Sequence, residues 1–272
     1  MKIAITGANG QLGSLIMERL LLRVHGETLV ACVRNPESIK HTALDGAEMR
    51  FCDYDRPESL EPALEGVSAL LLISSPHPED PVRMRQHAHI IEAARKARVG
   101  HLLYTSFAFA ERGSIPLTHL HMATEHAIMA SGIAHTFLRC GLYMDVVKSF
   151  ELHTAIAEGE LRIAPGQWAF NAVTRQELAE AIAGVLADPE AHLHKSYELA
   201  SPYIWTFDDL ADALAELSGS RVVVKQDPHI RHWIYGFLSR IDCAAASRDL
   251  ERLLGRPIGP LKDRLAPFLT RP

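Results

Sequence analysis

Along the first 150 residues, short apolar runs alternate with amphipathic stretches. The runs KIAIT (2–6), TLVACV (28–33), AEMRFCD (47–53), VSALLLIS (67–74), GHLLYTS (100–106) and AHTFLR (134–139) are rich in β-branched residues or leucine and predict strands. Between them the pattern predicts helices over about 11–22, after Pro36, and over about 57–64, 81–98, 118–131 and 142–158. Strand alternating with helix predicts a parallel sheet with right-handed crossovers. The strands are apolar on both faces, as a sheet covered by helices on each side requires. The expected fold is therefore α/β, a Rossmann-type doubly wound parallel sheet. After about Phe150 the rhythm changes, with isolated strands and more Pro and Trp. This predicts a dinucleotide-binding domain over 1–150 and a smaller C-terminal α/β lobe over 151–272. No low-complexity linker separates them, so the two are expected to pack as one unit.

Composition narrows the class. The 272 residues are 47% hydrophobic and 22% charged, ordinary values for a globular protein, with a formal charge of -5. No block of Lys or Arg stands out, which argues against nucleic acid or an anionic membrane surface as partner. No apolar run approaches the roughly 20 residues of a membrane span. The apolar strand pattern begins at Lys2, which leaves no room for a secretory leader. The four cysteines, Cys32, Cys52, Cys140 and Cys243, are scattered, against a disulfide framework or a structural zinc site. A reducing cytoplasm fits.

The chemistry begins at TGANGQLG (6–13), between the first strand and the first helix. Gly7 permits a tight turn, Gly10 lets the backbone approach a pyrophosphate, and Gly13 lets the helix pack close to the sheet. The pyrophosphate would sit at the helix N-terminus, where free N–H groups favour negative charge. An NAD site places an acid at the end of the second strand to hold the ribose 2′-hydroxyl. This chain has Arg34 there, in CVRNPES, suited to a charge-assisted contact with a 2′-phosphate. The expected cofactor is NADPH, with NADH possible. Asp53 and Tyr54 at the end of the third strand would border the adenine.

With these residues in view, the chain resembles the atypical short-chain dehydrogenase/reductase group with NmrA-like folds, on the side of its triphenylmethane-dye and quinone reductases. The motifs are AITGANGQLG, VRNPES, LLLISSPH, YTSFAFAERGSIPLTHLHMATEHAI, TFLRCGLYMDV, NAVTRQELA and YELASPYIWTFDDLA. The sequence departs from the pattern at Asn9, where Thr is usual, and at Cys140, where Asn is usual. The resemblance implies hydride transfer from a nicotinamide to a flat, conjugated acceptor, aromatic or quinoid. It also implies that Gly7, Asn9, Gly10, Gln11 and Leu12 hold the pyrophosphate, Ser74 and Ser75 lie along a ribose, and Thr105 and Ser106 lie near the nicotinamide ribose. Arg139, Cys140, Gly141 and Tyr143, with Phe170 and Asn171, would border the nicotinamide and the acceptor. Phe107, Phe109, Tyr143 and Trp168 are candidates for a stacking surface, though each also reads as core.

Ordinary short-chain reductases carry a Tyr and, four residues on, a Lys on one helix face; SIPLTHLHMATEHAIMASG (114–132) contains neither. Leu117 takes the Tyr place and His121 the Lys place. His121, with Tyr143, forms the candidate catalytic set. The imidazole would hydrogen-bond a ribose hydroxyl, act as a weak general acid, or be a polar helix residue held by Glu125 one turn on. The histidines of this segment do not form a metal-binding spacing, so no metal is expected. Cys140 reads as a reactive thiol or as packing. Two functions remain: a reductase of triarylmethane dyes or quinones, and an NADP-binding redox sensor without turnover. A nucleotide-sugar epimerase would need the missing pair. Oligomeric state is not legible.

Overall fold

A computed structural model describes residues 1–38, 44 and 46–269 of the chain. The order of elements is β1 (Ile3–Thr6), α1 (Gln11–Leu21), β2 (Leu29–Val33), β3 (Glu48–Phe51), α2 (Leu60–Ala63), β4 (Ala69–Leu72), α3 (Asp80–Lys96), β5 (His101–Phe107), α4 (Pro116–Ala130) and β6 (Ala134–Cys140). There follow α5 (Leu152–Glu158), β7 (Glu160–Ile163), β8 (Ala169–Phe170), α6 (Arg175–Ala187), β9 (Lys195–Leu199), β10 (Trp205–Thr206), α7 (Phe207–Ser218), β11 (Val223–Gln226), α8 (Trp233–Leu238), α9 (Asp249–Leu254) and α10 (Leu261–Leu265).

The main sheet has seven strands in the order β3-β2-β1-β4-β5-β6-β9, all parallel. It is doubly wound, as the alternation of strands and helices predicts. Alternate residues explain the two layers. Ile3 and Ile5 join the core under α1 and α6, while Ala4 joins the core under α2, α3 and α4. The same division holds for Leu71 against Leu70 and Leu72, and for Leu138 against Phe137. Helix α1 buries Leu12, Ile16, Met17 and Leu20, one stripe of a 3.6-residue period. Helix α6 starts at a capping box, in which Thr174 Oγ1 accepts from the Glu177 N–H and the Glu177 carboxylate accepts from the Thr174 N–H.

The boundary expected at residue 150 does not hold for the sheet. Strand β9 closes its edge beside β6, and α6 lies on α1, so the chain returns to the first layer after entering the second. The smaller lobe is built from the antiparallel pair β8/β10 and the parallel pair β7/β11. Its core is aromatic, with Phe150, Phe170, Trp205 and Phe207 buried together. The helix expected over 142–158 is broken. A 3-10 turn runs from Met144 to Phe150, Glu151 takes a left-handed conformation at φ 49, and α5 starts only at Leu152. The helix expected from 118 starts at Pro116, whose missing N–H costs nothing in the first turn. No helix among the described residues is long and apolar enough to cross a membrane.

Candidate active site

In an open parallel sheet, ligands bind outside the carboxyl ends of the strands, where the strand order reverses. Here that point lies between β1 and β4. A cavity of about 1060 Å³ opens there, large enough for a dinucleotide and a second small molecule. Strand order lays out its length. Asp53 and Arg34 stand at one end, beyond β3 and β2, followed by the glycine loop after β1 and Ser74 and Ser75 after β4. Thr105, Ser106 and Phe107 follow at the end of β5. Cys140, Gly141, Leu142 and Tyr143 after β6 close the far end.

The glycine loop is shaped as its spacing predicts. Gly7 sits at φ +61. A Cβ on Gly13 would stand 2.1 Å from the Gly7 carbonyl oxygen, so the helix reaches the loop only because that side chain is absent. Asn9, Gly10, Gln11 and Leu12 line the cavity beside it. The Thr6 hydroxyl donates to the Leu71 carbonyl and accepts from the Ile73 N–H, which fixes the ends of β1 and β4 together. The Thr105 hydroxyl accepts from the Ser74 N–H at 2.9 Å. Ser106 Oγ is buried in the lining with no hydrogen-bond partner among the described residues. An unsatisfied hydroxyl beside a Cβ-free cradle fits a dinucleotide, whose ribose hydroxyls would complete it.

At the acceptor end burial holds the imidazoles of His121 and His87, the Tyr143 phenol and the Cys140 thiol neutral. Burial, and then the charge of Arg83, push the His121 imidazole down to about 3. Its Nδ1 lies 2.8 Å from the Tyr104 hydroxyl. The His87 imidazole is likewise pushed down to about 3 by burial and by Arg83. His87 Nε2 accepts from the Ser75 N–H, so Nδ1 carries the proton and donates to Thr124 Oγ1 at 2.9 Å. Burial raises the Tyr143 phenol above its ordinary value. The Arg175 guanidinium lies over the Tyr143 ring, 4.4 Å from its centre, and is paired with Asp145. Burial pushes the Cys140 thiol up to about 12, which removes the thiolate a reactive cysteine needs. Leu117, in the place where ordinary short-chain reductases carry Tyr, lines the cavity.

Several residues expected here lie elsewhere. Arg139 is outside the cavity. It shares its strand face with Phe137 and meets α4, where it binds both oxygens of Glu125 at 2.9 and 2.7 Å and Glu198 at 2.8 Å. Glu125 therefore does not hold His121. Phe109 is buried with Ala108 and Ala200 in a left-handed turn at φ 53, under the Arg112 guanidinium. Phe170 is fully buried and stacked on Trp205, 4.4 Å between centres. Asn171 donates to the carbonyls of Asp242 and Ala245 and so ties a loop to the smaller lobe. Trp168 donates to the Ala164 carbonyl and packs edge-on against Tyr235 in that lobe. Of the four aromatic candidates, Phe107 and Tyr143 line the cavity.

The rest of the apolar wall comes from Leu142 and Val146 of the TFLRCGLYMDV motif, and from Trp233, Ile234 and Phe237 of α8, which the sequence pattern did not mark. Arg83 and Gln86 of α3 also line the cleft. The LLLISSPH motif just before α3 was the nearest signal for these two; nothing local in the sequence marks α8.

Comparison with known proteins agrees with this geometry. The model of a family described as NAD(P)H-binding matches residues 7–189. Quinone oxidoreductase 2 of Escherichia coli is 37% identical over 97% of this chain and 85% of its own. The structure of Citrobacter sp. triphenylmethane reductase complexed with NADP(H) superposes with a TM-score of 0.91 at 40% identity, covering 99% of this chain and 100% of that one. The structure of the NADPH-dependent quinone oxidoreductase of Escherichia coli complexed with NADPH gives a TM-score of 0.86 at 31% identity, covering 98% and 100%. The chain belongs to the NAD(P)H-binding family, within its atypical, NmrA-like short-chain oxidoreductases.

Proposed function

We propose that this protein transfers hydride from NADPH to a flat, conjugated acceptor, a quinone or a triarylmethane dye, in a reducing cytoplasm. The observation that carries the reading is that, among the described residues, those in the Tyr and Lys places and Tyr143 offer no acid usable at neutral pH. Leu117 stands in the tyrosine place, and His121, with its pKa near 3, is not an imidazolium at neutral pH. Tyr143 stays protonated because its phenolate would be buried.

When bound, the nicotinamide supplies a hydride. The chain holds and orients it. Arg34 takes the 2′-phosphate, the 7–13 loop the pyrophosphate, and Thr105 and Ser106 the nearer ribose. The apolar wall of Leu142, Val146, Trp233 and Phe237 would hold a planar acceptor beside the nicotinamide and shield the contact from water, so rate would come from proximity and a dry contact. A simple ketone would become an alkoxide and needs a proton at once. A triarylmethane cation becomes neutral and needs none. A quinone becomes a delocalised hydroquinone anion that takes a proton from water.

NADPH oxidation against a panel of quinones, triarylmethane dyes and simple ketones tests this. Turnover of the first two classes with negligible ketone turnover is expected. Efficient ketone reduction would overturn it, and tight NADPH binding with no turnover of any acceptor would favour a cofactor-sensing regulator.

A further inference from the structure

Three arginines line the cleft, and two have evident work. Arg34 stands at the 2′-phosphate end, and Arg175 is neutralised by Asp145. Arg83 is different. Its side chain is 13% exposed. One guanidinium nitrogen donates to Ser74 Oγ at 2.9 Å, while Asp80, its carboxylate neighbour on the same helix, stays at 3.7 Å. Its Nε is buried with no hydrogen-bond partner among the described residues. Around it lie neutral groups: His87, His121 and Tyr104. The carboxylates of the lining are engaged elsewhere. Asp53 accepts from the Asp55 N–H, Asp55 from Gln86, and Asp145 from Arg175. A largely buried cation with an idle donor, whose one neighbouring carboxylate stays beyond hydrogen-bond distance at 3.7 Å, is complementary to a further anion.

In the functional reading above, the cofactor's own phosphates fall to the glycine loop and Arg34, while Arg83 acts electrostatically on Tyr104 and His121. Resting on the functional reading above, we infer that Arg83 is the residue that receives the negative charge of a reduced quinone and so decides which acceptors the site favours. Hydride reaches the quinone with both electrons of the broken C–H bond. The acceptor becomes a hydroquinone monoanion, and the displaced charge rests on an oxygen against the guanidinium until water supplies a proton and leaves hydroxide. A triarylmethane cation loses its charge in the same step, so the guanidinium offers its product nothing and repels its substrate. Arg83 thus favours quinones over cationic dyes.

The test compares wild type with Arg83→Met. For a neutral benzoquinone, kcat/KM is expected to fall about tenfold to a hundredfold, the worth of one charge-assisted hydrogen bond. For a cationic triarylmethane dye it is expected to stay level or rise, with NADPH affinity unchanged by fluorescence titration. Arg83→Lys, which keeps the charge, is expected to recover part of the quinone rate. An equal loss for both acceptors, or a loss of NADPH affinity matching the loss of rate, would overturn the assignment. A second measurement needs no turnover. Bound to the NADP⁺ complex, 4-nitrophenol is expected to shift toward its phenolate in wild type and not in Arg83→Met. If wild type reduces neither acceptor class yet keeps this shift, the functional reading falls and the anion site stands. If the variant binds the phenolate as wild type does, the anion site falls.

Discussion

Two arginines, 56 residues apart in the sequence, show how differently this molecule treats a cation. Arg139 on β6 is held by Glu125 and Glu198, through bonds of 2.7 to 2.9 Å, and both carboxylates raise its pKa. Arg83 on α3 keeps one hydroxyl and one carboxylate just beyond hydrogen-bond distance, and burial lowers its pKa. The first is a knot that ties α4, β6 and β9 together. The second is a charge left available inside a cleft. Completeness of partners, rather than nearness to a motif, separates the structural cation from the functional one.

Breaking the knot should have the largest effect. Arg139→Met leaves Glu125, which is 5% exposed, as an uncompensated buried charge. Loss of about 3 kcal/mol is expected, since removing one partner of a buried pair is strongly destabilising. Urea unfolding should show a lower midpoint with an unchanged slope, while the folded variant keeps its NADPH affinity. Loss of cofactor binding at full stability would return Arg139 to the active site.

Next comes the cation at the other end of the cleft. Arg34→Ala should weaken NADPH binding roughly tenfold to a hundredfold and leave NADH nearly unchanged, because only NADPH carries the 2′-phosphate. Equal losses would remove Arg34 from that role.

The neutral imidazoles between the two ends give a prediction in pH. His87 and His121 have folded values near 3, against 6.5 unfolded. Below pH 6.5 the unfolded chain takes up protons that the folded chain refuses, so stability should fall with pH between 6.5 and 3 and level off below. Thermal melts across that range would show it. The quinone rate should show no inflection near 6.5; a clear one there would mean that a histidine of the site titrates normally.

The smallest expected change separates two tryptophans. Trp233→Ala should raise the acceptor KM about threefold to tenfold, the scale of one aromatic contact. Trp168→Phe should change it less than about twofold, because Trp168 packs against the smaller lobe's core, outside the cavity lining. The reverse order would restore the sequence-based assignment.

The same contrast explains what was legible in the sequence. The glycine loop and Arg34 are contiguous features of one strand–turn–helix unit, and their backbone roles follow from spacing. The doubly wound sheet follows from the alternation of periods. Arg139 was misplaced because its neighbours Cys140 and Gly141 do line the cleft. Successive strand residues point to opposite faces, and Arg139 takes the face toward α4. Phe109, Trp168 and Phe170 are aromatic residues near motif positions, and aromaticity alone cannot separate core from cleft. Trp233, Ile234 and Phe237 enter the site only because the smaller lobe folds back, and no local pattern records that. Strand β9 was missed for the same reason, since sheet membership across a long excursion is a tertiary fact.

The central claim is that hydride transfer in this cleft proceeds without a protein acid. Its most direct test is the solvent deuterium isotope effect on single-turnover reduction of a triarylmethane cation by the NADPH complex. The account predicts a value close to one, because no exchangeable proton moves in that step. A large normal effect would contradict it and would mean that a side chain of this cleft delivers a proton as the hydride arrives.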